Sequence, residues 1–354
     1  RMIAVPTHCV RVRKGLALAG ASTLVFTGCS SGTDTITESE APPTESSSEP
    51  DANIVATTTI WADIASRSLC GLEVASVIPA GADPHTFETS LADRATLEQA
   101  DLVVANGLAL EEGLVDLLAT GADGGTPVIE MTEAVAIRDM GDDHDDENSD
   151  DKDHADEHHD EDEDHGDEHA DDEDHDDHDH DHSGSDPHIW LDPINVASTV
   201  NLITEAAIDA GFDTSVRACA QDFIDEIEAL DIEIADDLSA IPSDRRFLVT
   251  NHDALGYFAE RYGFEVVGTV IPSLSTLAET NPADLADLAA IIEELDIPTV
   301  FSEEQASARD ADALADAIPG LTVVALDTGS LRDTDDDYLS MMRRNVTAIA
   351  EALG

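Results

Sequence analysis

The chain has 354 residues, 79 of them acidic and 16 basic, for a formal net charge of −63. That length admits two domains, and the sign of the charge excludes general nucleic-acid binding by phosphate neutralisation. The acid excess suits a cation-binding protein, a saline habitat or simple solubility.

The first segment reads as a targeting leader, 1–29. Arg11, Arg13 and Lys14 form a basic start, and 15–26 is an apolar run too short to span a bilayer comfortably. Phe26-Thr27-Gly28-Cys29 resembles a lipoprotein cleavage site, with Phe26 where Leu is usual, so Cys29 is the expected lipidated residue and Met2 a candidate start. Plain secretion is the alternative. Residues 30–52, rich in Ser, Thr, Glu and Pro, read as a flexible linker. Cys9 leaves with the leader. Cys70 and Cys219 remain, and an exported protein with two cysteines permits one disulfide.

An α/β rhythm begins near residue 53. Strands are predicted at 54–59, 73–78, 102–105 and 127–130, alternating with helices at 61–69, 91–99 and 110–119. The tract 139–186 interrupts it with 27 acids, one lysine and ten histidines, so it carries 26 of the negative charges. Without apolar periodicity it cannot build a core, and it is predicted to be disordered. Helical patterns follow at 195–210 and 214–238, where Phe223, Ile227, Leu230 and Ile234 give one apolar face. Strands at 247–250, 265–270, 299–301 and 322–326 then alternate with helices at 254–262, 282–295, 308–317 and 336–353. The predicted fold is therefore α/β, two parallel-sheet lobes joined by one long connecting helix. The first lobe is 53–194 including the insertion, the connecting helices are 195–240 and the second lobe is 241–354.

Outside the leader and the acidic tract only three histidines remain: His85, His188 and His252. Their settings are Asp-Pro-His-Thr-Phe-Glu (83–88), Asp-Pro-His-Ile-Trp-Leu-Asp-Pro (186–193) and Thr-Asn-His-Asp-Ala-Leu-Gly-Tyr-Phe (250–258). Ligands of open α/β sheets bind beyond the carboxyl ends of the strands, and neutral imidazole is a common ligand of borderline divalent metals. Three imidazoles from two lobes thus predict a metal cleft between the lobes. Asp83, Asp186 and Asp253, beside the histidines, are candidates to orient the rings, and Trp190 and Tyr257 to pack the lobes. The ten clustered histidines predict a second, looser set of metal ligands. No His-Glu-x-x-His, Gly-rich phosphate loop or Gly-x-Ser-x-Gly appears, which favours a binding protein over an enzyme.

Taken together, the three histidine motifs resemble those of the ZnuA/TroA-like solute-binding lipoproteins of zinc and manganese ABC importers, over roughly 53–354. The resemblance implies an extracytoplasmic, lipid-anchored monomer that captures one metal ion and delivers it to a membrane permease. It places the ligands at His85, His188 and His252, and the three-histidine set favours Zn²⁺ over Mn²⁺. The His-rich tract, typical of the zinc branch, is then an expected auxiliary scavenger. In many relatives an Asp of a Thr-Asp-Ser-Leu-like segment completes the set; here that segment is Thr328-Gly329-Ser330-Leu331. Glu303 is the preferred fourth ligand, with Asp327 and water as alternatives. A surface metal buffer or adhesin is the other reading.

Overall fold

The computed structural model describes residues 52–139 and 184–354. The leader with Cys29, the linker before residue 52 and tract residues 140–183 lie outside the described residues.

The first sheet contains β1 (Ile54–Ala56), β2 (Ala75–Ser76), β3 (Leu102–Ala105) and β4 (Val128–Glu130), all parallel in the order β2-β1-β3-β4. The second has β5 (Phe247–Thr250), β6 (Glu265–Thr269), β7 (Thr299–Glu303) and β8 (Thr322–Leu326), parallel in the equivalent order β6-β5-β7-β8. In the first lobe, α1 (Thr59–Ser68), α2 (Leu91–Glu98) and α3 (Val115–Gly124) link the strands. Next come α4 (Pro193–Asp209) and α5 (Val216–Leu238). The second lobe contributes α6 (Gly256–Tyr262), α7 (Pro282–Glu294), α8 (Arg309–Ala317) and α9 (Tyr338–Leu353).

Helix starts follow capping chemistry. Thr58 accepts the Trp61 N–H at α1, Ser90 and Asp93 form a capping box at α2, and Asp192, followed by Pro193, opens α4. The predicted helix at 110–119 is displaced, because Leu108 and Ala109 adopt left-handed φ of 52° and 53° and postpone helical geometry to a 3₁₀ turn, Glu112–Leu114, and then α3. Predicted strand 73–78 pairs over a shorter span, although the Val77 and Ile78 N–H groups still bond to Ala56 and Thr57 carbonyls at 3.0 and 2.8 Å.

Side-chain alternation along each strand divides the core. Ile54 and Ala56 of β1, Leu102 and Val104 of β3, Leu248 of β5 and Phe301 of β7 join one continuous core with α1, α4, α5 and α9. Their neighbours point the other way. Val55 and Val103 pack with Leu97 and Leu114 under α2 and α3, while Val249 and Val300 pack with Leu288, Ile292 and Leu314 under α7 and α8. One core therefore runs through both lobes. The link between them is a pair of helices turning at Gly211, of which α5, 23 residues and about 34 Å long, is the long member that touches α1 of one lobe and α9 of the other. Cys70, just after α1, and Cys219 of α5 form a disulfide with a Cα separation of 5.2 Å.

Candidate metal centre

The two Asp-Pro-His segments fold alike. Asp83 Oδ1 accepts the backbone N–H of His85 at 3.0 Å, and Asp186 Oδ1 accepts that of His188 at 2.9 Å. Each is an Asx turn that fixes the backbone beneath its imidazole. The first turn lies beyond β2. The second follows the acidic tract and is held through the Pro187 carbonyl, which accepts from Asn106 Nδ2 at 2.9 Å. His252 lies just past β5, where the Thr250 hydroxyl donates to its carbonyl at 2.7 Å.

These segments bring three buried rings together, with His85 4%, His188 2% and His252 2% exposed. One ligand atom from each lies within 4.8 Å of the others. Nε2 of His188 is 3.3 Å from Nε2 of His85 and 3.0 Å from Nε2 of His252. Two imidazole nitrogens bound tetrahedrally to zinc, each at about 2.0–2.1 Å, sit about 3.3 Å apart.

The outer nitrogens explain how the rings are aimed. Nδ1 of His188 donates to Asp186 Oδ1 at 2.9 Å, and Nδ1 of His252 is hydrogen-bonded to Glu303 Oε1. Nδ1 of His85 faces Glu112 Oε1 at 3.6 Å and has no hydrogen-bond partner. A carboxylate behind Nδ1 holds the proton there and turns the Nε2 lone pair inward. His188 and His252 are held in this way, and together with His85 they present three ring nitrogens within 4.8 Å of one another, an arrangement suited to a cation. The niche around the rings is closely packed and is lined also by Asp83, Pro84, Trp190, Gln305, Thr328 and Gly329. It accommodates an ion rather than an organic substrate.

Electrostatics reinforce this. Burial, helped by the neighbouring His252 and His85, pushes the His188 imidazole well below its usual pKa, so it stays neutral. Burial also opposes a charge on His252, but the charge and hydrogen bond of Glu303, with Asp83 and Asp253 beyond, outweigh it and raise the pKa. Burial lifts Asp186 to about 6 against the opposing His188 N–H and Arg138.

The carboxylates near the rings are engaged in different ways. Glu303 does not turn toward the Nε2 atoms: one oxygen holds His252 Nδ1 and the other accepts from Gln305 Nε2 at 3.2 Å. Asp327 is likewise engaged, by Arg332 at 2.8 Å and Arg344 at 3.0 Å. Asp186 meets the Nδ1 of its own histidine, His188, whereas Asp83 bonds the His85 backbone and not its ring, and the Nδ1 of His252 is met by Glu303 and not by Asp253. Glu112 was not foreseen. It sits at the turn displaced by Leu108 and Ala109, and close packing there requires Gly113, since a Cβ would lie 2.2 Å from the Phe87 carbonyl oxygen. Trp190 donates from Nε1 to the Thr328 carbonyl at 2.7 Å across the lobes. The Tyr257 hydroxyl donates to the Asp186 carbonyl at 3.1 Å and accepts from the Arg138 N–H at 2.9 Å.

A family model, "Zinc-uptake complex component A periplasmic" (ZnuA), matches residues 54–352. The chain belongs to the ZnuA family. The manganese-binding lipoprotein MntA of Halalkalibacterium halodurans is 26% identical over 286 residues, covering 79% of this chain and 81% of that protein. The zinc-binding protein TroA of Treponema pallidum is 25% identical over 283 residues, 77% and 79% of the two chains. The solved structure of periplasmic zinc-binding TroA from the same organism superposes with a TM-score of 0.67 at 24% identity, covering 86% of this chain and 99% of that one, and shares its fold. This ZnuA-family chain is thus a solute-binding component of a metal ABC importer, working with a membrane permease, and not an enzyme. No helix among the described residues is long and apolar enough to cross a membrane.

Proposed function

We propose that the chain carries one zinc ion as cargo between His85, His188 and His252 and delivers it to the permease. The observation that supports this best is the convergence of three Nε2 atoms, each ring backed by a carboxylate. Manganese prefers oxygen ligands, and with Glu303 and Asp327 engaged elsewhere the set is nitrogen only, completed by one water. The MntA relative favours the manganese reading; the donor set weighs against it. In this reading Cys29 bears the lipid anchor on the outer face of the membrane, the protein works as a monomer, and the histidines at 144–182 gather zinc loosely for the cleft.

The test is zinc and manganese titration of the mature protein, alongside a variant with 141–184 replaced by a short Gly-Ser turn. Asp139 and Ser185 already form an antiparallel bridge that closes the base of the tract. The shortened variant is expected to retain one tight zinc, to prefer it to manganese and to lose the weaker sites. His252→Ala in that variant lowers affinity by orders of magnitude. Unchanged zinc binding in His252→Ala would reject the site, and equal stoichiometry with and without the tract would reject scavenging.

A further inference from the structure

The three rings are not held equally. His188 and His252 each have a hydrogen-bonded carboxylate on Nδ1, whereas His85 has none and relies on Asp83 beneath its backbone and Glu112 beside its ring. Both supporting carboxylates are also gripped from the opposite lobe, by adjacent residues of the loop after β6. The Ser275 hydroxyl donates to Glu112 Oε1, and the Thr276 hydroxyl donates to Asp83 Oδ2 at 2.6 Å.

That loop is itself braced. The Ser275 N–H donates to Ser273 Oγ and the Leu277 N–H to Ser275 Oγ, each at 3.1 Å, while the Ser273 carbonyl accepts from the Asp253 N–H at 3.0 Å. It therefore spans from the residue beside His252 to the two carboxylates supporting His85. Resting on the proposed metal site, we propose that Ser275 and Thr276 are positioning residues, whose hydroxyls make the aim of His85, and so retention of the ion, depend on the lobes being closed. Separating the lobes withdraws both hydroxyls at once. Glu112 and Asp83 are then released, and His85 is the first ligand free to leave.

The test uses the mature protein with Ser275→Ala and Thr276→Val together, zinc affinity being read by chelator competition and dissociation by stopped flow. Loss of orienting contacts around a metal ligand typically costs about 10–100-fold in affinity, and a loss in that range, carried by faster dissociation, is expected. The conservative pair Ser275→Thr and Thr276→Ser keeps both hydroxyls and restores affinity. Thr280→Val, which removes a hydroxyl bound to Asp310 within one lobe at 3.0 Å, leaves it unchanged. In a His85→Ala background the Ala/Val pair adds no further loss, because its effect passes through that ring. Wild-type affinity in the Ala/Val pair, or a full additional loss on top of His85→Ala, overturns the proposal. Failure of the wild-type protein to bind zinc would instead overturn the metal reading beneath it.

Discussion

Each imidazole at the centre is defined by what stands behind it. Glu303 fixes the proton of His252 on Nδ1, and the charge-assisted bond keeps Nε2 available. Glu303→Gln is expected to retain the fold, lower zinc affinity by about 10–100-fold and leave stoichiometry at one, as read by isothermal titration. Complete loss of the ion would mean that Glu303 is a ligand rather than an orienting group. Position 329 makes a related point. A Cβ there would come within 3.0 Å of both Gln305 Nε2 and Pro84 Cδ, so an Asp at this position requires both neighbours to shift. The histidines were legible from sequence because two identical Asp-Pro-His segments and a strand end carry the only histidines among the described residues. The partners of their rings were not. Glu112 depends on a left-handed excursion at Leu108 and Ala109, and the fate of Asp327 depends on Arg332 and Arg344, which only the folded chain brings to it.

At the scale of elements, the division of the core follows from the alternation of side chains along each strand, and the parallel sheets were readable from strands alternating with helices. The displacement of α3 shows where pattern fails: residues 110–119 have helical periodicity, but the backbone entering them does not. Contacts between distant helices were equally hidden. Asp63 of α1 accepts the Tyr338 N–H at the start of α9 at 2.9 Å and is held near 6 by burial, against that bond and Arg67. A carboxyl whose folded pKa lies above its unfolded value of 3.8 binds its proton more tightly when folded. Its contribution to stability is full below about 4 and is lost as pH rises through 6. Asp63→Asn keeps the acceptor and removes the buried charge. It should raise unfolding free energy at pH 7.5 by about 2 kcal/mol, with the gain shrinking toward pH 4. Chemical denaturation at the two pH values checks this; an equal effect at both would refute the assignment.

For the whole molecule, the continuous core through α1, α4, α5 and α9 and the disulfide joining α1's end to α5 tie the lobes along their length. Such a frame favours small tilts of one lobe on the other over a wide hinge opening. A tilt suffices, because the proposed site is made of loops from both lobes, and His188 Nε2 lies only 3.3 Å from that of His85 and 3.0 Å from that of His252. Displacing one ring by a comparable distance breaks the set. The two-lobe plan was legible in the α/β rhythm, while the bracing across the cleft arises from packing between segments far apart in sequence.

The most direct measurement is zinc-edge X-ray absorption on the protein lacking 141–184 and loaded with one equivalent of zinc. The account predicts three imidazole nitrogens at about 2.0–2.1 Å and one further light atom, with one imidazole lost in His252→Ala. A first shell with fewer than three imidazoles, or one unchanged by that substitution, would contradict it.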